Sequence, residues 1–180
     1  MLSSPTGRDE MDVESLQQML EQMTVCALRF EQNIIEGRRY PFSNAISAMQ
    51  EIHRGSHRPY PCGAGAGYVG VSAQGRFYSC HRFVGDESAA LGNVWQGLDD
   101  ERQSRWLAER HVHFQDPCTR CWARYLCGGG CHYEVLHKGR NSCDYVRGWL
   151  TECLKIYVRL LDRRPDYFQV SLVGAEEAKT

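Results

Sequence analysis

Cysteine thiols carry the chemistry that this sequence most clearly offers. The chain has 180 residues and nine cysteines. Four of them fall between Cys118 and Cys131. The segment from Met1 to Met11 is polar and acidic, without the basic and apolar stretches of a secretion signal. We therefore expect a reducing, cytoplasmic compartment, in which clustered thiols bind metal instead of forming disulfides.

The densest run reads Cys118-x2-Cys121-x5-Cys127-x3-Cys131. Its first pair is spaced to chelate one metal centre, and the glycines at 128–130 let the backbone fold tightly around it. Tetrahedral thiolate sites suit both zinc and iron–sulfur clusters. The run therefore predicts a metal site and leaves the metal open.

Three further cysteines extend the pattern. Cys62 and Cys80 bracket two short β-prone runs, 68–72 and 76–80, with Gly75 at a turn between them. Cys143 stands where a last long helix is expected to begin, and helix N-termini favour a thiolate. Cys153 lies ten residues further, ~15 Å along that helix, so both cannot serve one cluster and we choose Cys143.

Together these seven cysteines resemble the signature of the SPASM domain, the auxiliary module of radical S-adenosylmethionine peptide-modifying enzymes. The amino-acid sequences of residues 61–86 and 121–131 are most similar to those of thioether-forming peptide maturases. The resemblance implies two [4Fe–4S] clusters that serve electron transfer and the positioning of a ribosomal peptide or protein substrate. It places Cys62, Cys80 and Cys131 on the first cluster. On the second it places Cys118, Cys121, Cys127 and Cys143.

The sequence departs from such maturases in one respect. It has no Cys-x3-Cys-x2-Cys run, which those enzymes use to cleave their cofactor, since Glu134 stands where the third cysteine would follow Cys127 and Cys131. We therefore expect the chain not to be catalytic alone, and to act with a radical SAM barrel domain or subunit. The first cluster lacks a fourth cysteine, so we expect an iron there that is open to His81, water or a substrate thiolate.

Two alternatives stay open at this stage. The run from Cys118 to Cys131 has the compactness of a zinc knuckle, which would make the protein a zinc-binding interaction module for a protein or nucleic acid. Cys62, Cys80 and Cys143 count against it, because one knuckle leaves them unexplained. The other alternative is a non-functional remnant of a truncated gene.

Other candidate residues have structural interpretations. Cys26 and Cys153 lie on apolar helix stripes, where a thiol usually packs as a small hydrophobe. The glycines at 63, 65 and 67 precede a strand instead of following one, so they do not form a dinucleotide-binding loop. For His81 three roles stay open, namely a proton-transfer group, a cluster ligand and a hydrogen-bonded histidine.

The elements that must position these thiols are mostly helices. Apolar periodicity predicts helices from Asp12 to about Gly37, from Ser43 or Asn44 to Gly55, over 99–109 and from Ser142 to Arg163, with a frayed end from Asp166. We expect an α+β fold, with a helical lead-in over 1–58, an iron–sulfur domain over 59–164 and a tail over 165–180. With a formal net charge of −1 and no long apolar run, we expect no nucleic-acid partner and no membrane span.

Overall fold

The computed structural model describes residues 11–173, and the fold is α+β. In chain order the elements are α1 (Val13–Ile35), α2 (Ser43–His53), β1 (Gly70–Val71), β2 (Arg76–Tyr78), β3 (Ala90–Asn93), β4 (Gly97–Leu98), α3 (Asp100–Arg110), α4 (Arg124–Cys127), α5 (His132–Lys138), α6 (Cys143–Arg163) and α7 (Asp166–Val173). The chain divides into two compact units. Within the described residues, a helical unit takes residues 11–56 and 141–173, and a mixed unit takes residues 57–140.

The helical unit forms around the apolar faces of α1 and α6. Asp12 caps α1 by accepting a hydrogen bond from the Ser15 amide at 2.8 Å. The buried core joins residues from α1, α2, α6 and α7: Ala27, Phe30, Ile34, Ala45, Met49, Cys153, Ile156, Leu160 and Phe168. The predicted amphipathic helices are confirmed. The expected frayed end is wrong for residues 166–173, because Phe168 is buried against this core and holds α7 in place; residues 174–180 lie outside the described part.

The mixed unit contains an antiparallel sheet of order β1-β2-β3-β4. The predicted hairpin forms, with Gly70 opposite Tyr78 and with Gly75 at a φ of 72° in the turn. Strands β3 and β4 extend the sheet beyond the predicted hairpin.

The sheet and α3 enclose a core that fixes the segments carrying Cys62 and Cys80. Phe83, Leu91 and Trp106 are buried in it, and the Trp106 indole donates a hydrogen bond to the Ala64 carbonyl at 3.3 Å. Asp99 caps α3 through the Arg102 amide at 3.0 Å. The two cysteine segments are therefore anchored to one packed core.

None of the helices within residues 11–173 is long and apolar enough to span a bilayer.

Candidate metal centre

Cys80 lies two residues after the end of β2 and is buried. Its backbone touches Gly70 so closely that a Cβ built on that glycine would lie 2.6 Å from the Cys80 carbonyl carbon. Glycine at position 70 therefore allows β1 to approach the backbone beside the thiol. The short turn over His81–Phe83 then begins with an exposed His81.

Three cysteines that are distant in sequence meet around Tyr68, and we call this group the Cys62 site (Cys62, Cys80 and Cys131). The Tyr68 hydroxyl contacts the Cys62 Sγ at 3.8 Å. Burial, the bond to Cys62 and the negative charges of all three thiolates raise the pKa of Tyr68 to about 12. Burial raises the pKa of Cys80, and the Cys131 and Cys62 thiolates act in the same direction. All three cysteines therefore lie close enough to the Tyr68 hydroxyl for their charges to act on its pKa.

Arg82 donates a hydrogen bond to a cysteine of the Cys62 site. Arg82 Nη1 donates to the Cys131 Sγ at 3.4 Å and contacts Glu134 Oε1 at 3.1 Å. Its guanidinium also lies 4.3 Å from the centre of the Tyr133 ring. Cys131 is the residue before α5, so the first turn of that helix brings Glu134 to the same guanidinium. Arg82 is thus shared between a thiol sulfur and a carboxylate.

The remaining cysteines of the dense run form what we call the Cys118 site (Cys118, Cys121 and Cys127). Cys118 is buried and begins a short turn, in which the Cys121 amide donates to the Cys118 carbonyl at 3.0 Å. Cys127 is the last residue of α4 and is half-buried, as is Cys121. The three are close in sequence, and the structure keeps them in the mixed unit.

The glycines after Cys127 make the close turn that separates the two sites. Gly128, Gly129 and Gly130 have φ values of 72°, 94° and 79°, a region that residues with a Cβ rarely adopt. A Cβ on Gly128 would also lie 2.5 Å from the carbonyl carbon of Tyr60. The run therefore packs directly against the backbone just before Cys62, as its predicted role in tight folding requires.

A second arginine serves the Cys118 site. Arg140 Nη1 donates to the Cys118 Sγ at 3.3 Å and to the Gly129 carbonyl at 3.0 Å, while Nη2 donates to Gln115 Oε1 at 2.6 Å. Gln115 is itself buried and donates to the Arg110 carbonyl. Each site thus has one guanidinium directed at a thiol sulfur.

Cys26, Cys143 and Cys153 lie in the helical unit. Cys153 is fully buried in its core, and burial raises the pKa of the thiol to about 12. That burial confirms the packing interpretation of Cys153. Cys143 is the first residue of α6 and is half-buried, and Cys26 on α1 is also half-buried. The assignment of Cys143 to the second cluster stays a prediction.

The donor set fits an iron–sulfur group at the Cys62 site. No disulfide joins the nine cysteines, all of which lie in the described part of the chain. Ser79 Oγ and His132 Nε2 are buried without a hydrogen-bond partner, and these residues adjoin Cys80 and Cys131. An acceptor-rich sulfide group beside them would account for both. Within residues 11–173, no three His, Cys, Asp or Glu side chains are arranged to hold a single metal ion.

Sequence reasoning did not find the polar residues around the thiols. Arg82, Arg140, Gln115 and Tyr68 contact sulfur atoms or position the groups that do. No spacing rule singles them out, although Arg82 stands two residues after Cys80.

A separate aromatic cluster surrounds Tyr125, with the His57 ring stacked at 3.8 Å and His113 Nε2 2.5 Å from the hydroxyl. His111 and His113 pair ring to ring at 4.6 Å.

No family model matches the chain, and neither does any of the curated proteins.

Proposed function

We propose that residues 57–140 bind iron–sulfur clusters as an auxiliary, SPASM-type module of a radical SAM peptide-modifying system. The observation that carries this proposal is that Tyr68 contacts Cys62 and lies close enough to Cys80 and Cys131 for the charges of all three cysteines to act on its pKa. Cys62 precedes the hairpin, Cys80 follows it and Cys131 comes 51 residues later. A fold that brings such distant thiols to one place is typical of a shared ligand.

In this proposal the cysteines bind the clusters and two arginines donate hydrogen bonds to cysteine sulfur atoms. Cys62, Cys80 and Cys131 would hold one [4Fe–4S] cluster, and Cys118, Cys121 and Cys127 would contribute to another. Such clusters supply one-electron transfer when bound. Arg82 and Arg140 direct N–H groups at the sulfur atoms of Cys131 and Cys118, and would donate hydrogen bonds to those sulfur atoms when they ligate a cluster.

The position of Cys131 supports this proposal over the zinc knuckle. A knuckle would group Cys131 with Cys118, Cys121 and Cys127 around one ion. Instead Cys131 accepts a hydrogen bond from Arg82 and its charge acts on the pKa of Cys80 and Tyr68, while Cys118 accepts a hydrogen bond from Arg140. The two ends of the dense run thus accept hydrogen bonds from different arginines.

The biological role in the proposal is electron transfer and positioning of a ribosomal peptide or protein substrate in the cytoplasm. The barrel that cleaves S-adenosylmethionine would come from a domain or subunit outside the 180 residues. This part of the proposal rests on the resemblance of the seven-cysteine pattern.

Metal analysis of single-cysteine variants tests the proposal. The protein would be purified without oxygen, and iron and acid-labile sulfide counted for the wild type and for Cys62→Ala, Cys80→Ala and Cys131→Ala. We expect the same partial loss of iron in all three. Cys26→Ala is the matched control and should keep the full content. Wild-type protein that is colourless and holds stoichiometric zinc after anaerobic reconstitution would overturn the proposal in favour of the zinc module.

A further inference from the structure

The two cysteine groups differ in how the positive charge beside them is balanced. At the Cys62 site, Arg82 forms an ion pair with Glu134, and the two side chains are only 15% and 17% exposed. Little solvent screens this pair, so the carboxylate offsets much of the charge that the guanidinium presents to Cys131.

At the Cys118 site the corresponding arginine has neutral partners. Arg140 donates to the Cys118 sulfur, the Gly129 carbonyl and the Gln115 amide oxygen. The pKa of Arg110 is lowered mainly by burial; the charge of Glu109 acts against this, and the charge of Arg140 makes a smaller contribution in the same direction as burial. Neither the Gly129 carbonyl nor the Gln115 amide oxygen carries a charge that would offset the Arg140 guanidinium.

A second cation strengthens this difference. Arg124 adjoins the Cys118 site, where it donates to the Thr119 carbonyl at 2.8 Å and lies 4.9 Å from the centre of the Tyr125 ring. The carboxylate of Asp116 is 80% exposed and pairs with an equally exposed Arg120 at 3.6 Å. Exposed pairs of this kind are screened by water and salt and contribute little to the local field.

We propose that Arg140 makes the Cys118 site the stronger electron acceptor of the two. This inference rests on the proposed function. Both sites have a guanidinium that donates to a thiol sulfur, so hydrogen bonding alone does not separate them. An unbalanced positive charge stabilises the reduced state, which carries one more negative charge, and so raises the reduction potential.

The proposed reaction is the transfer of one electron between the two sites. With a cluster bound at each site, one electron would leave the Cys62 site, which would be oxidised, and enter the Cys118 site, which would be reduced. No bond forms or breaks, and no proton is required. A single electron supplied to the protein by a chemical reductant therefore resides at the Cys118 site at equilibrium, and Arg140 acts as a tuning residue.

Potentiometric titration of the anaerobic protein, followed by electron paramagnetic resonance, tests this inference. Each signal is assigned by the cysteine variant, Cys62→Ala or Cys118→Ala, that removes it. In the wild type we expect the signal of the Cys118 site first. In Arg140→Gln the reduced-to-oxidised ratio of that site at a fixed potential should fall on the order of tenfold, equivalent to about 59 mV for one electron. Arg140→Lys should largely restore it.

Glu134→Gln is the complementary variant, since it removes the charge that offsets Arg82. We expect it to raise the potential of the Cys62 site and narrow the gap between the two. Arg105→Gln is the matched control, because Arg105 is exposed and paired with Glu101 at 2.6 Å; neither potential should move. If Arg140→Gln loses iron, Arg140→Lys and Glu134→Gln decide the question by the same measurement.

Two failures are distinguishable. Wild-type protein without iron and sulfide overturns the proposed function and this inference together. Protein with both clusters, in which the Cys62 site reduces first or in which Arg140→Gln leaves the potential of the Cys118 site unchanged, overturns the inference alone.

Discussion

Gly70 lies where a side chain has no room. A Cβ at this position would be 2.6 Å from the Cys80 carbonyl carbon, and backbone cannot move away cheaply. We expect Gly70→Ala to lower the free energy of unfolding by about 1–3 kcal/mol and to reduce the iron held at the Cys62 site. Urea unfolding and iron counts measure the two effects. Gly67→Ala is the control, because its Cβ would meet nothing closer than 3.7 Å; equal losses in both variants would contradict the account.

Cys143 and Cys153 stand on the same helix in very different surroundings. Cys153 is fully buried and its pKa is raised to about 12, whereas Cys143 is half-buried at the helix N-terminus. We expect Cys143→Ala to lose iron and Cys153→Ala to keep it while unfolding at lower urea concentration. Iron counts on the two anaerobic variants decide the assignment, and iron loss in Cys153→Ala alone would reverse it.

His132 gives the mixed unit an acid-sensitive position. Burial and the nearby charge of Arg110 lower the pKa of His132 to about 4, against ~6.5 in an unfolded chain. The unfolded state binds the extra proton between these values, so this contribution to stability is complete above about pH 6.5 and is lost towards pH 4, at up to about 1.4 kcal/mol per pH unit. Urea midpoints across this range should fall less steeply in His132→Phe than in the wild type. Parallel curves would show that His132 does not carry the effect.

At the scale of the elements, α1 and α6 are joined by an ion pair as well as by their apolar faces. Arg159 Nε and Nη2 contact the Glu31 carboxylate at 2.6 and 2.7 Å, and the Glu31 side chain is 9% exposed. We expect Glu31→Gln to cost about 1–3 kcal/mol, less than for a fully buried pair because Arg159 is 39% exposed.

A double-mutant cycle separates the pair from its surroundings. Arg159→Met, alone and combined with Glu31→Gln, should show a coupling energy of at least about 0.5 kcal/mol in urea unfolding. Additive effects of the two substitutions would mean that the apolar faces alone hold α1 and α6 together.

The long helices were predictable because each has a continuous apolar stripe that the core then buries. Strands β3 and β4 were not, since Ala90–Asn93 and Gly97–Leu98 lack the alternation and β-branched residues of a typical strand and depend on pairing with a neighbouring strand. Helix α7 was missed because Pro165 correctly indicates the end of α6, while only tertiary contact of Phe168 shows that a new helix follows.

The candidate site, like the fold, could be predicted from the sequence only in part. Spacing alone identified the cysteines that could bind metal. The assignment of Cys131 to the first cluster is implied only by the resemblance and stays a prediction, because sequence proximity favours grouping Cys131 with Cys118, Cys121 and Cys127. The arginines that contact sulfur were not foreseeable, since position 82 reaches Cys131 and position 140 reaches Cys118 only through the fold.

At the scale of the whole molecule, the two compact units differ in content: most of the candidate metal ligands lie in the mixed unit. The helical unit is built on a conventional apolar core, whereas residues 57–140 hold six of the seven candidate ligands in loops and short elements. Loops of this kind gain order from bound metal, which stabilises the folded state by its binding free energy. The proposed function therefore depends on which metal the mixed unit binds.

Mössbauer spectroscopy of protein expressed with ⁵⁷Fe and purified without oxygen tests that claim most directly. We predict the quadrupole doublet of [4Fe–4S]²⁺ clusters in the wild type, with about half of the intensity lost in Cys80→Ala and none lost in Cys26→Ala. Protein that takes up no iron and instead binds one zinc ion through Cys118, Cys121, Cys127 and Cys131 would contradict the account.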